Sequence, residues 1–527
     1  MRSLTTVTAA GALTLALAAC GGGGQPAGGG SYAEGKTFTL VLGSDPGTLD
    51  PHFTSVSTAL QAGRFLYDSL VNVDEHGSMV AGLAEKWDGT TTSATFTLRK
   101  GITCGDGSPL TATDIAANIT FVGDPKNAST RIGVYVPAGA TAVGDDAAGT
   151  VTVTSPAPDA FLDRNVGGLP IVCKKGMAAR DQLKQGSDGT GMFTVSEAVA
   201  GDHYTLTRRK EYAWGPGDWK KEQAGLPDKV VLRVVANGTT AANLLLSGEV
   251  NAAVMVGPDQ QRLRAAKLHE RVVASPLGEL WFNQKKGMPG ADEAVRRALT
   301  QALDLDQLGQ VVTSGSGQRS AGLVAPGGPC PAGKAASLLP AKDTTAAKSA
   351  LDAAGWTAGA DGVRAKDGKK LAVLLYFPTS VGQGTQAAAE LLQKEWTALG
   401  AQVTVKGLSD AEIGQLVIGG QGAWQAAILP LGVNLPTQLV PFLSGATPPN
   451  GVNLASIDNP DYTANVQAAS AIAGSGGCDK WQAAEEALFK RLDVVPFVDS
   501  TVPIFGKGAQ FELSQGSVTP GSIRMLA

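Results

Sequence analysis

Chemistry in this chain would have to come from few residues, because only five cysteines and four histidines stand among its 527 residues. His52, His76, His203 and His269 are scattered, and no two cysteines have C-x2-C spacing, so metal ligation is not expected. Nucleophilic catalysis is no better served. Ser316 has Ser314 two residues before it and Ser475 has Ala473, so neither completes the Gly-x-Ser-x-Gly turn that presents a serine nucleophile. No His-Glu-x-x-His, Walker phosphate loop or strand-linked Gly-x-Gly-x-x-Gly occurs. The paired acids Asp145-Asp146 and Glu485-Glu486 are sequence neighbours, expected to be solvated rather than to flank a scissile bond. Neither a catalytic residue nor a cofactor is expected.

One cysteine has a different setting. Met1-Arg2 supplies one positive charge, and residues 9–19 are apolar but far shorter than the ~20 residues of a membrane span, which predicts a signal peptide over 1–19. The run ends in Leu17-Ala18-Ala19-Cys20, which resembles the lipobox of bacterial lipoproteins. That resemblance implies a diacylglycerol on the Cys20 thiol, with cleavage leaving Cys20 first; the competing reading is an ordinary secretory signal. Residues 21–30 are glycine-rich and hold nothing large enough to pack, so a flexible tether over 20–36 is expected. Acyl chains contribute about 0.8 kcal/mol per buried CH2, enough to hold the body on the extracytoplasmic face of a cell membrane.

The other four cysteines, Cys104, Cys173, Cys330 and Cys478, are an even set in an exported chain, which argues for disulfides. Three pairings are possible. Cys104 with Cys173 and Cys330 with Cys478 keeps each bridge within one half of the sequence and is the preferred expectation. The composition is that of a globular protein, 43% hydrophobic and 17% charged. A net charge of -4 offers no electrostatic footprint for nucleic acid, which is not an expected partner.

The elements that would position any site alternate between strand and helix. Residues 37–42 (TFTLVL) are β-branched and apolar, and 57–70 place Leu60, Phe65, Leu66 and Leu70 near a helical stripe. Strands are also expected at 151–154 and 204–207. Val295, Ala298, Leu299, Ala302 and Leu303 recur at helical spacing, with Arg296, Arg297, Thr300 and Gln301 on the other face, as in a surface helix. Residues 371–377 read as a buried strand, 388–399 as a helix that Gly400 ends, and 401–406 as the next strand, so a parallel βαβ unit is predicted.

Four stretches together resemble the bacterial solute-binding protein family 5, the oligopeptide, dipeptide and nickel receptors of ABC importers. They are 44–51 (SDPGTLDP) with 67–71 (YDSLV); 81–87 (AGLAEKW) with 96–102 (FTLRKGI) and 106–115 (DGSPLTATDI); 189–193 (GTGMF); and Phe282-Asn283 with 295–304 (VRRALTQALD). The resemblance implies an α/β, two-lobed periplasmic-binding-protein-like fold of type II with an extra inserted domain. Lobe I would comprise 37–75, 186–278 and 493–527, the insertion 76–185, and lobe II 279–492. Two chain crossings would form a hinge, and a monomer is expected.

By that resemblance Trp281, Asn283, Trp424 and Asn453 are the candidate ligand contacts, with burial of the tryptophans in the core as the competing reading. Peptide receptors of this family commonly carry an acid shortly after the tryptophan matching Trp424, to hold the peptide's α-ammonium group. This chain has none between Trp424 and Gly451. The implied role is capture of a peptide or similar small solute for an ABC permease and ATPase. A surface sensing lipoprotein of the same fold and an exported hydrolase are the alternatives.

Overall fold

The computed structural model describes residues 31–74 and 76–527; residues 1–30, which include Cys20, the signal peptide and most of the tether, lie outside the described residues. Thr37–Leu42 forms the predicted strand and pairs in parallel with Lys229–Val234, Leu40 opposite Leu232. It sits within one ten-stranded sheet. From one edge the order is Gln402–Leu408, Ala372–Pro378, Ala426–Ile428, His269–Phe282, Val494–Gly506, Ala252–Val254, Thr37–Leu42, Lys229–Val234, His203–Arg208, Phe193–Val199.

Two long antiparallel strands hold that sheet together. His269–Phe282 and Val494–Gly506 run 14 and 13 residues and pair along nearly their whole length. Residues 269–275 pair with 500–506 among the strands of the first lobe, and Glu279, Leu280 and Trp281 pair with Pro496, Val495 and Val494 in the second. The register slips between Pro276 and Glu279. Such a bulge bends a strand and strengthens its twist. The two lobes of an α/β, type II periplasmic-binding-protein-like fold are therefore joined by two adjacent strands that cross between them.

Each lobe buries its own core. Trp281, Trp396, Leu375 and Phe489 belong to one apolar cluster, and Phe38, Phe65, Phe96 and Phe193 to another. The insertion adds a four-stranded antiparallel sheet covered by the helix Ala112–Gly123, whose Ile115 and Ile119 join the second cluster. Thr111 and Asp114 cap that helix reciprocally, side chain to backbone in both directions. The disulfides Cys104–Cys173 and Cys330–Cys478 close loops of 69 and 148 residues. Loops of that size reduce unfolded-state entropy by about 4–5 kcal/mol in the chain-entropy account.

The βαβ unit has the expected form: Ala372–Pro378, the helix Gln383–Ala398, and Gln402–Leu408 in parallel register, with Gly400 at φ +99° turning the chain between them. Two local expectations fail. The first helix covers Ser57–Leu66 and stops at Tyr67, whose backbone is extended, so Leu70 is not part of its stripe. Arg296 and Thr300 do not face solvent, for both are buried. Arg296 is 3.1 Å from Asp493 and donates to the carbonyls of Gly290, Arg491 and Leu492, so a full set of partners lets the charge lie inside.

Candidate interlobe site

Both lobes direct the carboxyl ends of parallel strands at the same seam, the usual place for a ligand crevice in an open α/β sheet. Ser44 lies two residues after Thr37–Leu42, and Asp410 two residues after Gln402–Leu408. Ser44 Oγ donates to Asp410 Oδ2 at 2.7 Å, across 366 residues of sequence. Asp410 is held in place by its own lobe. Ser380 Oγ donates to its other oxygen, and Ser409 with Glu412 forms a capping box at the helix that Asp410 begins.

On the first lobe's rim Asp45 accepts hydrogen bonds from the backbone of Gly47 and Gly201 and from the Tyr204 hydroxyl. The insertion closes the other flank. Asn165 Nδ2 donates to Thr437 Oγ1 at 2.9 Å, and the Gly474 amide donates to the Ala160 carbonyl.

Three of the four candidate contacts come together around the paired strands His269–Phe282 and Ala426–Ile428: Trp281 within the first, Asn283 just after it, and Trp424 two residues before the second. Trp281 is fully buried, with Nε1 donating to the Leu429 carbonyl at 2.8 Å. Asn283 donates to the Trp424 carbonyl at 3.0 Å and accepts from the Lys285 amide. Trp424 is buried in the second lobe's core. Asn453 lies elsewhere, pinning its loop by donating to the Gly445 and Ile457 carbonyls and accepting from the Ile457 amide. In this conformation the bonds of both asparagines serve the backbone.

Residue types alone missed a group of carboxyls at the crossing. Glu279 is fully buried beside the bulge; its Oε2 accepts from the Leu431 amide and its Oε1 has no partner. Burial, reinforced by Asp499 and Glu485, pushes its pKa well above the ordinary value for a glutamate. Asp499 accepts from Ser320 Oγ at 2.6 Å and Glu485 from the Leu323 amide at 2.6 Å. Burial pushes Glu485 up to about 7. The expectation that Glu485 is solvated is therefore corrected: the 318–325 loop covers it. A lone acid inside the apolar run from Leu277 to Phe282 was the available signal for Glu279.

Among the described residues no group of three or more histidine, cysteine or acidic side chains is placed to hold a metal ion, and no helix is long and apolar enough to cross a membrane.

A family model described as bacterial extracellular solute-binding proteins, family 5 Middle, matches residues 78–447. Protein XP55 of Streptomyces lividans is 27% identical over 368 residues, 66% of this chain and 63% of that protein. The glutathione-binding protein GsiB of Salmonella choleraesuis is 28% identical over 305 residues, 55% of this chain and 56% of that one. The chain thus spans less than two thirds of either relative's length. Among solved structures, a substrate binding protein from Microbacterium hydrocarbonoxydans in complex with 4-hydroxybenzoate hydrazide matches 93% of this chain and 100% of its own, with TM-score 0.80 and 26% identity. The oligopeptide-binding protein AppA of Bacillus subtilis, in complex with a nonapeptide, matches 94% and 100% with TM-score 0.77 at 17% identity, a likeness of fold.

Proposed function

Because this chain belongs to the bacterial extracellular solute-binding proteins of family 5, we propose that it is an extracytoplasmic receptor that closes two lobes over a peptide or similar small solute and passes it to an ABC permease and its ATPase. The observation that carries this reading is the hinge: two neighbouring strands cross between the lobes beside a bulge, while Ser44 and Asp410 meet on the far side of the seam. Such a joint bends without breaking either core. A guest that touches both lobes binds the closed state better and shifts the population toward it. The guest leaves chemically unchanged.

Trp281, Asn283 and Trp424 would back the guest from within the second lobe, while Asn453 pins a loop of that lobe. The strand after Trp424, Ala426–Ile428, is apolar and buried, with no acid to pair an α-ammonium group there. Asp45 and Asp410 are the acids at the seam, and a cationic end of the guest would meet one of them. The guests named for two of the similar proteins, glutathione and an aromatic hydrazide, support a compact organic solute. Lipid attachment at Cys20 and the glycine-rich tether keep the body near its permease.

Native mass spectrometry of the purified body should show a co-purified solute, and re-adding that solute to stripped protein should contract the small-angle scattering profile. Uptake of the same solute should fail in a strain lacking the protein. Binding without any uptake defect would favour a sensing role, and turnover of the solute would overturn the receptor reading.

A further inference from the structure

Away from the seam, the first lobe holds a cavity of about 130 Å³ between the helix Ser57–Leu66, the insertion and the 515–521 segment. A cavity near 150 Å³ admits a guest the size of benzene, so this one has room for a small ion with some water.

Its walls are charged in an unequal way. Arg64 lines it, yet the one hydrogen bond of its guanidinium is a 3.4 Å contact to the Ser514 carbonyl, and among the described residues no carboxylate lies within salt-bridge distance. Two buried arginines of the chain are treated differently: Arg296 has Asp493 and three carbonyls, and Arg364 has Asp352 with the carbonyls of Trp356 and Leu399.

The cavity's own acid, Asp68, acts on Arg64 through its charge but forms no salt bridge with it. Its oxygens accept from Tyr212, Trp214 and Thr190, and burial pushes its pKa up to about 6. A second cation stands behind the wall. Arg131 is buried, donates through Nε to the carbonyl of the lining residue Pro51, lies 5.6 Å from the ring of the lining residue Tyr135, and leaves Nη2 without a partner. Arg64 is half-buried, so water in the cavity can satisfy its remaining donors, and an anion there would replace that water with a charge-assisted hydrogen bond.

We propose that this cavity is an accessory anion site in which Arg64 binds a small oxyanion, either an inorganic oxoanion or the carboxylate of a small organic acid. The site is independent of the interlobe reading, since its walls belong to the first lobe, the insertion and the C-terminal segment. Occupancy ties those three parts together without involving closure.

The test is the melting temperature of the mature protein titrated with sodium phosphate, and in a separate arm with sodium acetate, at ionic strength held constant by sodium chloride. The expected result is a saturable rise with at least one of the two probes, the arms distinguishing oxoanion from carboxylate. Arg64→Gln should weaken that binding by roughly tenfold or more, the effect of losing a charge-assisted hydrogen bond. An equal, unsaturated response in both proteins overturns the proposal. Should Arg64→Gln fail to fold, wild-type crystals soaked in selenate decide: an anomalous peak beside Arg64 supports the site, and water alone in the cavity overturns it.

Discussion

Ser44 and Asp410, from opposite lobes and 366 residues apart, share a 2.7 Å hydrogen bond at the point where two parallel strands end face to face. On the proposed closing motion it would latch the closed form. Removing it with Ser44→Ala should shift the closed-to-open balance by about 1 kcal/mol, roughly fivefold, without loosening either core. Small-angle scattering should show a larger radius of gyration for Ser44→Ala than for Ser380→Ala, which removes only a bond within the second lobe. Equal radii for both variants and wild type would remove the latch from the account.

The hinge has a steric requirement at Gly278. A Cβ there would lie 2.2 Å from the Phe497 ring on the paired strand, so the lack of a side chain, not an unusual backbone angle, is what the position demands. Gly278→Ala should destabilise the protein by about 1–3 kcal/mol, as overpacking does. Adding Phe497→Leu should recover part of that loss in chemical denaturation; no recovery would mean that the strain lies elsewhere.

Arg296 and Asp493 form a buried pair, further held by Asn459 Nδ2 on Asp493 at 2.7 Å. Arg296→Met leaves that carboxylate without its charge partner and should cost about 3–5 kcal/mol. The double variant Arg296→Met, Asp493→Leu should be less damaged than the sum of the single changes. Additive losses in urea melts would show that the pair acts as two separate contacts.

Glu485 should give stability a dependence on pH. Its folded pKa, about 7, lies above the ordinary value of 4.5. The native state therefore holds the proton more tightly, and the stability this confers is present below about pH 4.5 and is lost as pH rises toward 7, by at most about 3 kcal/mol. His52 works the opposite way, lowered to about 3 by burial, so it costs stability as pH falls below 6.5. Glu485→Gln isolates the first term. Its stability relative to wild type should rise between pH 4.5 and 7.5, and a flat difference would place Glu485 in contact with solvent.

Local pattern carried much of the architecture. Alternating and continuous apolar runs marked the strands at 37–42, 204–207 and 371–377, and Gly400 marked a helix end, because these depend on side-chain period and backbone freedom within a few residues. The same reasoning failed at Arg296. Helical spacing tells which residues share a face; it does not tell how many neighbours cover the helix, and Asp493 lies 197 residues away.

The candidate site was less legible. The family resemblance pointed to Trp281, Asn283, Trp424 and Asn453, and the structure adds Ser44, Asp45, Asp410, the buried acids Glu279 and Asp499 and the half-buried Glu485. Nothing in the neighbourhood of Glu485 or Arg64 announces an unusual charge, since the cost of burying one depends on what the rest of the chain brings to it.

By its residues alone, this sequence determined the kind of molecule: an α/β body without catalytic motifs, carrying four cysteines suited to bridges. Periodicity and short motifs suffice for that, being properties of neighbouring residues. Tertiary structure alone decided which cysteines pair, where the strands cross between lobes, and which charges lie unanswered inside. Those outcomes depend on contacts between residues hundreds of positions apart, where burial and the partners present set the energy of each group.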